Sequence, residues 1–193
     1  MASRAYNIPN LLTYARILAV PLIVLFFFIE GRLQSSDFAR WAALAIFIVA
    51  SITDYLDGYL ARFWNQTSNI GKMLDPIADK LLIAAVLLLL AADQTIAGWS
   101  LWAAITILCR EILVSGLREY LAALKVSVPV TRIAKWKTTA QMVALAFLLA
   151  GPAGDRVLPY TTEIGITLLW IAAILTIYTG YDYFRAGAKH MVD

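Results

Sequence analysis

The sequence predicts an all-α integral membrane protein: six transmembrane helices around a polar cavity that faces the cytoplasm. Three observations carry that prediction. Hydrophobic residues make up 61% of the 193 positions and charged residues only 15%, with a mean hydropathy of +0.73. That is more apolar surface than one soluble domain of this length buries. Apolar stretches close to the roughly 20 residues a helical span requires recur along the chain. Finally, alternate threading of those stretches places thirteen of the sixteen lysines and arginines on one side, leaving Arg32, Arg40 and Arg156 on the other. This is the asymmetry expected of cytoplasmic loops, so both termini are expected inside.

The first span covers about residues 9–29. Polar Asn7, Asn10 and Thr13 precede its apolar run and no small-residue cleavage site follows, so it reads as a helix and not as a secretory signal. Asn7 suits the helix cap and Pro9 the first turn. Together with Arg16, three residues past Thr13, these residues make a polar edge expected to face the cavity. The second span covers about 38–61. The third, about 76–92, and the fifth, about 135–150, are short, which a cavity at their ends explains. Gly71 is expected to open the turn into the third span, with Pro76 in its first helical turn.

The fourth span, about 97–118, carries Arg110 about nine residues from its inner end. At 1.5 Å per residue that is roughly 13 Å deep, too deep for a membrane-surface anchor. A buried arginine in a membrane helix marks a site or an ion pair, and Glu111 beside it is placed to pair with another helix. The sixth span covers about 163–185. Short connections and the lack of any repeat make residues 1–193 a single domain. Gln141, inside the fifth span, is expected to hydrogen-bond between helices.

Several residues carry no chemistry in this reading. The single Cys109 excludes an internal disulfide and reads as small apolar filler in its span. His190, the only histidine, stands in a basic tail without a carboxylate neighbour. Trp99, Trp102 and Trp136 near span ends fit an interfacial belt.

The chemistry concentrates between residues 54 and 79. Asp54-Tyr-Leu-Asp57-Gly58-Tyr-Leu-Ala61-Arg62 is followed by eight residues and then Gly71-Lys-Met-Leu-Asp75-Pro-Ile-Ala-Asp79. On a helix Asp54, Asp57, Gly58 and Ala61 share one stripe, and Asp75 and Asp79 share another. Two helix ends thus each present a carboxylate pair, joined by a loop short enough to bring them together. Four acids require a positive partner to converge. An all-oxygen donor set without His or Cys points to Mg²⁺, Mn²⁺ or Ca²⁺, and paired hard cations serve displacement at phosphorus. Gly58 and Ala61 leave a notch for a ligand, and Arg62 is placed to meet a diphosphate.

This pattern, D-x-x-D-G-x-x-A-R, eight residues, then G-x-x-x-D-x-x-x-D, is complete in the chain and resembles the signature of the CDP-alcohol phosphatidyltransferases. The resemblance implies six transmembrane helices and transfer of a phosphatidyl group from CDP-diacylglycerol to an alcohol, with release of CMP. It implies two divalent cations, Mg²⁺ or Mn²⁺, held by Asp54, Asp57 and Asp75 with Asp79 completing the site and acting as general base. Asp54, Gly58, Ala61 and Arg62 would receive the donor, with Asn10 and Thr13 at its headgroup. Three further segments, Asn7 to Thr13, Arg110 to Glu119 and Lys135 to Met142, are similar to the phosphatidylglycerophosphate synthase branch of that family. A homodimer in the bacterial inner membrane, with its active site on the cytoplasmic side, follows from the same resemblance.

The acceptor is read from charge. Arg110, Arg118, Lys135 and Lys137 surround the inner mouth. Such a cation cluster beside the carboxylates suits an alcohol that already bears a phosphate. Glycerol 3-phosphate is favoured over neutral choline, ethanolamine or serine; inositol phosphate in a sibling enzyme is the alternative. Lys125 and Arg132 are assigned to anionic lipid, and no nucleic-acid partner is expected. A divalent-cation transporter would also line a membrane with acids, but with acids near mid-bilayer and often a pseudo-repeat.

Overall fold

The computed structural model describes residues 8–33, 37–63, 69–124, 126 and 132–188, without the side chains of 8, 9, 28–33, 55–63, 69, 70, 72, 132 and 188. Asn7, Lys125 and His190 lie outside the described residues. Six helices follow one another: α1 (Ile8–Leu33), α2 (Asp37–Phe63), α3 (Asn69–Ala92), α4 (Ser100–Ala123), α5 (Arg132–Asp155) and α6 (Thr161–Ala188). Among the described residues there is no strand.

Each helix has at least 24 residues, about 36 Å at 1.5 Å per residue and enough to cross a bilayer core of about 30 Å. Within α1, α4 and α6, Asn10–Phe27, Ser100–Ala123 and Thr161–Gly187 are also apolar enough to cross a membrane. The other three helices carry much of the chain's polar chemistry: Asp54 on α2, Asp75, Asp79 and Lys80 on α3, and Lys135, Lys137 and Gln141 on α5.

The outside is apolar, unlike that of a soluble bundle, and a few polar groups are set into a core that is itself mostly apolar. Leu18, Leu113, Ile174 and Phe184 are more than 60% exposed, whereas Thr13, Arg16, Gln141 and Thr176 are at most 1% exposed. Lipid solvates the apolar outside, and the bundle interior solvates the polar groups. Alanines 43, 103, 144 and 172 are fully buried at the helix contacts, the small-residue packing that lets membrane helices approach. α5 packs most extensively on α6, α1 on α2, α4 on α6 and α1 on α3. Cys109, read as small apolar filler in its span, lies in α4 and faces outward. Trp99, Trp102 and Trp136 are exposed.

Two boundaries depart from the sequence expectation. α3 begins at Asn69, so Gly71 lies within the helix, and Pro76 is in its interior and not its first turn. The first two turns mix Asn69, Lys72 and Asp75 with Ile70, Met73 and Leu74, so an apolar pattern does not register them. α5 runs past residue 150 through a kink at Gly151, with φ 45° and ψ −131°. The break was legible at 150; the further helical piece to Asp155 was not.

A polar clasp closes the bundle at the end remote from the aspartates. The guanidinium of buried Arg40 pairs with Asp93 and donates to Thr95, and it stands 5.3 Å from the Phe27 ring centre. The Gly151 kink passes directly against it: a Cβ there would come 2.6 Å from Arg40 Nη1.

Candidate active site

α1, α2 and α3 bring the described acids together. Thr13 and Arg16 stand three residues apart on α1 and therefore share a face. Thr13 Oγ1 donates to Asp75 Oδ1 at 2.5 Å. Arg16 Nη1 lies 2.6 Å from Asp54 Oδ1 and 4.0 Å from Asp79 Oδ1. Asn10 is buried on the same stripe of α1. The backbone of Asp57, Gly58, Ala61 and Arg62 is helical in α2, while their side chains lie outside the described residues.

Arg16 is the member that the sequence left in the background. Its position on the polar edge of the first span was legible, but its pairing was not, because nothing in a one-dimensional pattern says which acids a buried guanidinium will meet. In the fold it supplies part of the positive charge that converging carboxylates require.

The family resemblance implies divalent cations here, and the donor chemistry can be tested against that. Among the described residues no three acids are grouped closely enough to hold one ion. The fourth acid, Asp57, is not among the described side chains. The donors present are all hard oxygens, and the side chains of Asp54 and Asp79 remain 35% and 41% exposed. Thr13 contacts Asp75 at Oδ1 and Arg16 contacts Asp54 at Oδ1. Donors of this type suit an oxygen-seeking dication; Asp54, Asp57, Asp75 and Asp79 are the residues that would hold it.

Asp79 also forms part of the wall of a cavity of about 390 Å³ between α3, α4, α5 and α6. Arg110 and Arg118 enter it from α4 and Lys137 from α5. Arg110 Nη2 donates to Thr179 Oγ1 at 3.0 Å, and Arg110 Nη1 lies 3.5 Å from Glu111 Oε1. Glu111 also pairs with the buried Lys137, joining α4 to α5 as the sequence anticipated. Arg118 stands 5.8 Å from the ring centre of Tyr183 and makes no ion pair among the described residues. α6 leaves room for this cluster at Gly180, where a Cβ would come 3.1 Å from Arg110 Cγ.

Lys135 departs from the expectation. It is exposed and does not line the cavity, because a two-residue step on a helix turns it to the opposite side from Lys137. The cavity also contains residues the sequence did not single out: Lys80, Thr179, Asp182 and Tyr183. A polar triplet near the end of α6 was the available signal, overshadowed by the apolar span around it.

An acid cluster that borders a cation-lined cavity at one end of a six-helix membrane bundle is the layout expected of a phosphoryl-group transferase. The chain belongs to the CDP-alcohol phosphatidyltransferase family, whose model matches residues 6–178. Among curated relatives it is similar to the CDP-diacylglycerol--glycerol-3-phosphate 3-phosphatidyltransferase of Rickettsia bellii, 49% identical over 184 residues, covering 95% of this chain and 97% of the relative. Proteins of the same name from Shigella flexneri serotype 5b, at 40% identity, and Cereibacter sphaeroides, at 38%, each cover 97% of this chain and 98% of the relative.

Proposed function

We propose that this protein transfers a phosphatidyl group from CDP-diacylglycerol to the primary hydroxyl of glycerol 3-phosphate, giving phosphatidylglycerophosphate and CMP. The observation that carries this is the shared wall: Asp79 of the acid cluster and the cations Arg110, Arg118 and Lys137 line one cavity. A group that bears both an anionic phosphate and a reactive hydroxyl fits between them.

In this reaction Arg110, Arg118 and Lys137 receive the acceptor phosphate, with guanidinium forks matching its oxygens and the ammonium adding a point charge. Asp79 takes the proton from the acceptor hydroxyl. The new oxygen–phosphorus bond forms at the phosphorus carrying diacylglycerol, and the bond to CMP breaks. Asn10, Thr13, Gly58, Ala61 and Arg62 position the donor, and Arg62 meets the charge that develops on departing CMP. When bound, two divalent cations, Mg²⁺ or Mn²⁺, supply electrophilic stabilisation of the diphosphate. Arg16 orients Asp54 and keeps the acids together.

Residues 1–193 act as one domain, in a homodimer, in the bacterial inner membrane. Both termini and the active site face the cytoplasm, where the water-soluble acceptor is available; the lipid donor enters from the inner leaflet. Neither substrate has to cross the bilayer. The test is a kinetic split: Arg110→Ala and Arg118→Ala raise the KM for glycerol 3-phosphate at least tenfold, the loss expected for a charge-assisted hydrogen bond, and leave the KM for CDP-diacylglycerol within about twofold. Equal effects on both substrates would contradict the assignment of the cavity.

A further inference from the structure

Three helices carry buried polar atoms without partners among the described residues, at or about one helical turn below the wall of the acceptor cavity. Gln141 on α5 is 1% exposed and Thr176 on α6 is fully buried. Among the described residues, Gln141 Nε2 and Oε1, Thr176 Oγ1 and Arg110 Nε have no hydrogen-bond partner. The interhelical bond expected of Gln141 is therefore absent among the described residues. Gln141 follows Lys137 by four residues, about 6 Å further into the bundle, and Thr176 precedes Thr179 by three, about 4.5 Å deeper. Lys137, Thr179 and Arg110 line the cavity, so Gln141 and Thr176 lie about one helical turn below it, and Arg110 Nε belongs to its wall.

We propose that the cavity continues one turn deeper as a water-binding annex formed by Gln141, Thr176 and Arg110 Nε, and that this annex positions Arg110 for the acceptor phosphate. The chemistry suits water. The amide offers two donors and an acceptor, the hydroxyl donates and accepts, and Nε donates. A buried water satisfies two to four such groups, whereas leaving them dry at this burial is costly. At the next level Ala144, Ala172 and Ala173 are small and buried, and the larger Leu145 and Ile107 close it off. With the annex filled, the guanidinium is held at all three nitrogens: Nη2 by Thr179, Nη1 by Glu111 and Nε by water. Gln141 and Thr176 are positioning residues; neither touches the reacting atoms.

The inference rests on the acceptor cavity proposed above, and its test separates the two. Thr176→Val keeps shape and removes the hydroxyl; Thr176→Ser keeps the hydroxyl; Gln141→Leu removes the amide. The readouts are the melting temperature of the detergent-purified full chain and the KM for each substrate. Thr176→Val and Gln141→Leu should lower the melting temperature and raise the acceptor KM about fivefold, the loss expected of one hydrogen bond. The donor KM should stay unchanged, and Thr176→Ser should match the parent protein. A melting temperature for Thr176→Val that holds or rises would overturn the annex, because removing a dry, unpaired hydroxyl does not destabilise. A fall in melting temperature with an unchanged acceptor KM would overturn the positioning role. Arg110→Ala is measured in parallel: if it leaves the acceptor KM unchanged, the cavity assignment fails, and the melting temperatures still decide whether water is bound.

Discussion

Lys135 and Lys137 are two residues apart, yet about 200° of helix rotation separates their side chains. Lys137 is buried against Glu111 inside the cavity, whereas Lys135 is exposed outside it. Lys137→Ala is therefore expected to raise the glycerol 3-phosphate KM at least tenfold, as loss of a charged hydrogen-bond donor does, and Lys135→Ala to change it by less than about twofold. Steady-state kinetics on the two variants checks this, and similar losses for both would contradict it. Asp79 makes the sharpest single-residue case. Asp79→Asn keeps size and polarity but cannot take a proton, so turnover should be lost while CDP-diacylglycerol still binds, measured by equilibrium binding of the donor. Retained turnover would remove Asp79 from the role of base. At this scale the sequence disclosed what periodicity encodes: which acids share a helix face, and that Arg110 is too deep for an anchor. It did not disclose Arg16 on Asp54, Thr13 on Asp75 or Lys137 on Glu111, since such pairings depend on how different helices meet.

Helices α3 and α5 show how an element can be legible in its middle and hidden at its ends. The apolar run that marks α3 starts at Pro76, but the helix starts at Asn69. Its first two turns mix polar and apolar residues, so no apolar run marks them. The Gly151 kink in α5 has a backbone conformation open only to glycine, and it lies against the Arg40 clasp. Gly151→Ala is expected to destabilise by about 1–3 kcal/mol, read as a lower melting temperature. The KM of both substrates should be unchanged, because the clasp stands at the far end of the bundle from Asp79. Between α5 and α6, Asp155 accepts hydrogen bonds from the Thr162 hydroxyl at 2.6 Å and its backbone N–H at 3.0 Å. These two bonds hold its carboxyl below the ordinary carboxylate range. A depressed folded-state value contributes stability that is fully present above the unfolded value, about 3.9, and is lost as pH falls through the folded one. The difference in melting temperature between the parent protein and Asp155→Ala should thus be constant from neutral pH to about 5 and shrink below about 4. A difference that ignores pH would contradict this account of the corner.

The molecule as a whole has an apolar exterior around a mostly apolar core in which a few polar groups are buried, and the apolar exterior was readable from composition alone. The division of charge was readable from where the lysines and arginines fall between the apolar stretches. Arg40 and Arg156, assigned by the sequence to the outer side, pair with Asp93 and Asp37, while the acid and cation clusters gather at the opposite end. Cysteines introduced at either terminus of a Cys109→Ser variant should be labelled by a membrane-impermeant reagent only after the membrane is opened from the cytoplasmic side. Labelling from outside would invert the topology. What composition could not supply is the sharing of Asp79 between the acid cluster and the cation-lined cavity, and in the proposed reaction that adjacency links a lipid-borne diphosphate to a soluble phosphorylated alcohol. The most direct measurement is CMP release by purified protein given CDP-diacylglycerol, Mg²⁺ or Mn²⁺, and each of glycerol 3-phosphate, glycerol, serine and inositol phosphate. The account predicts CMP release with glycerol 3-phosphate and dependence on the cation. No release with glycerol 3-phosphate, together with release using another of these alcohols, would contradict it.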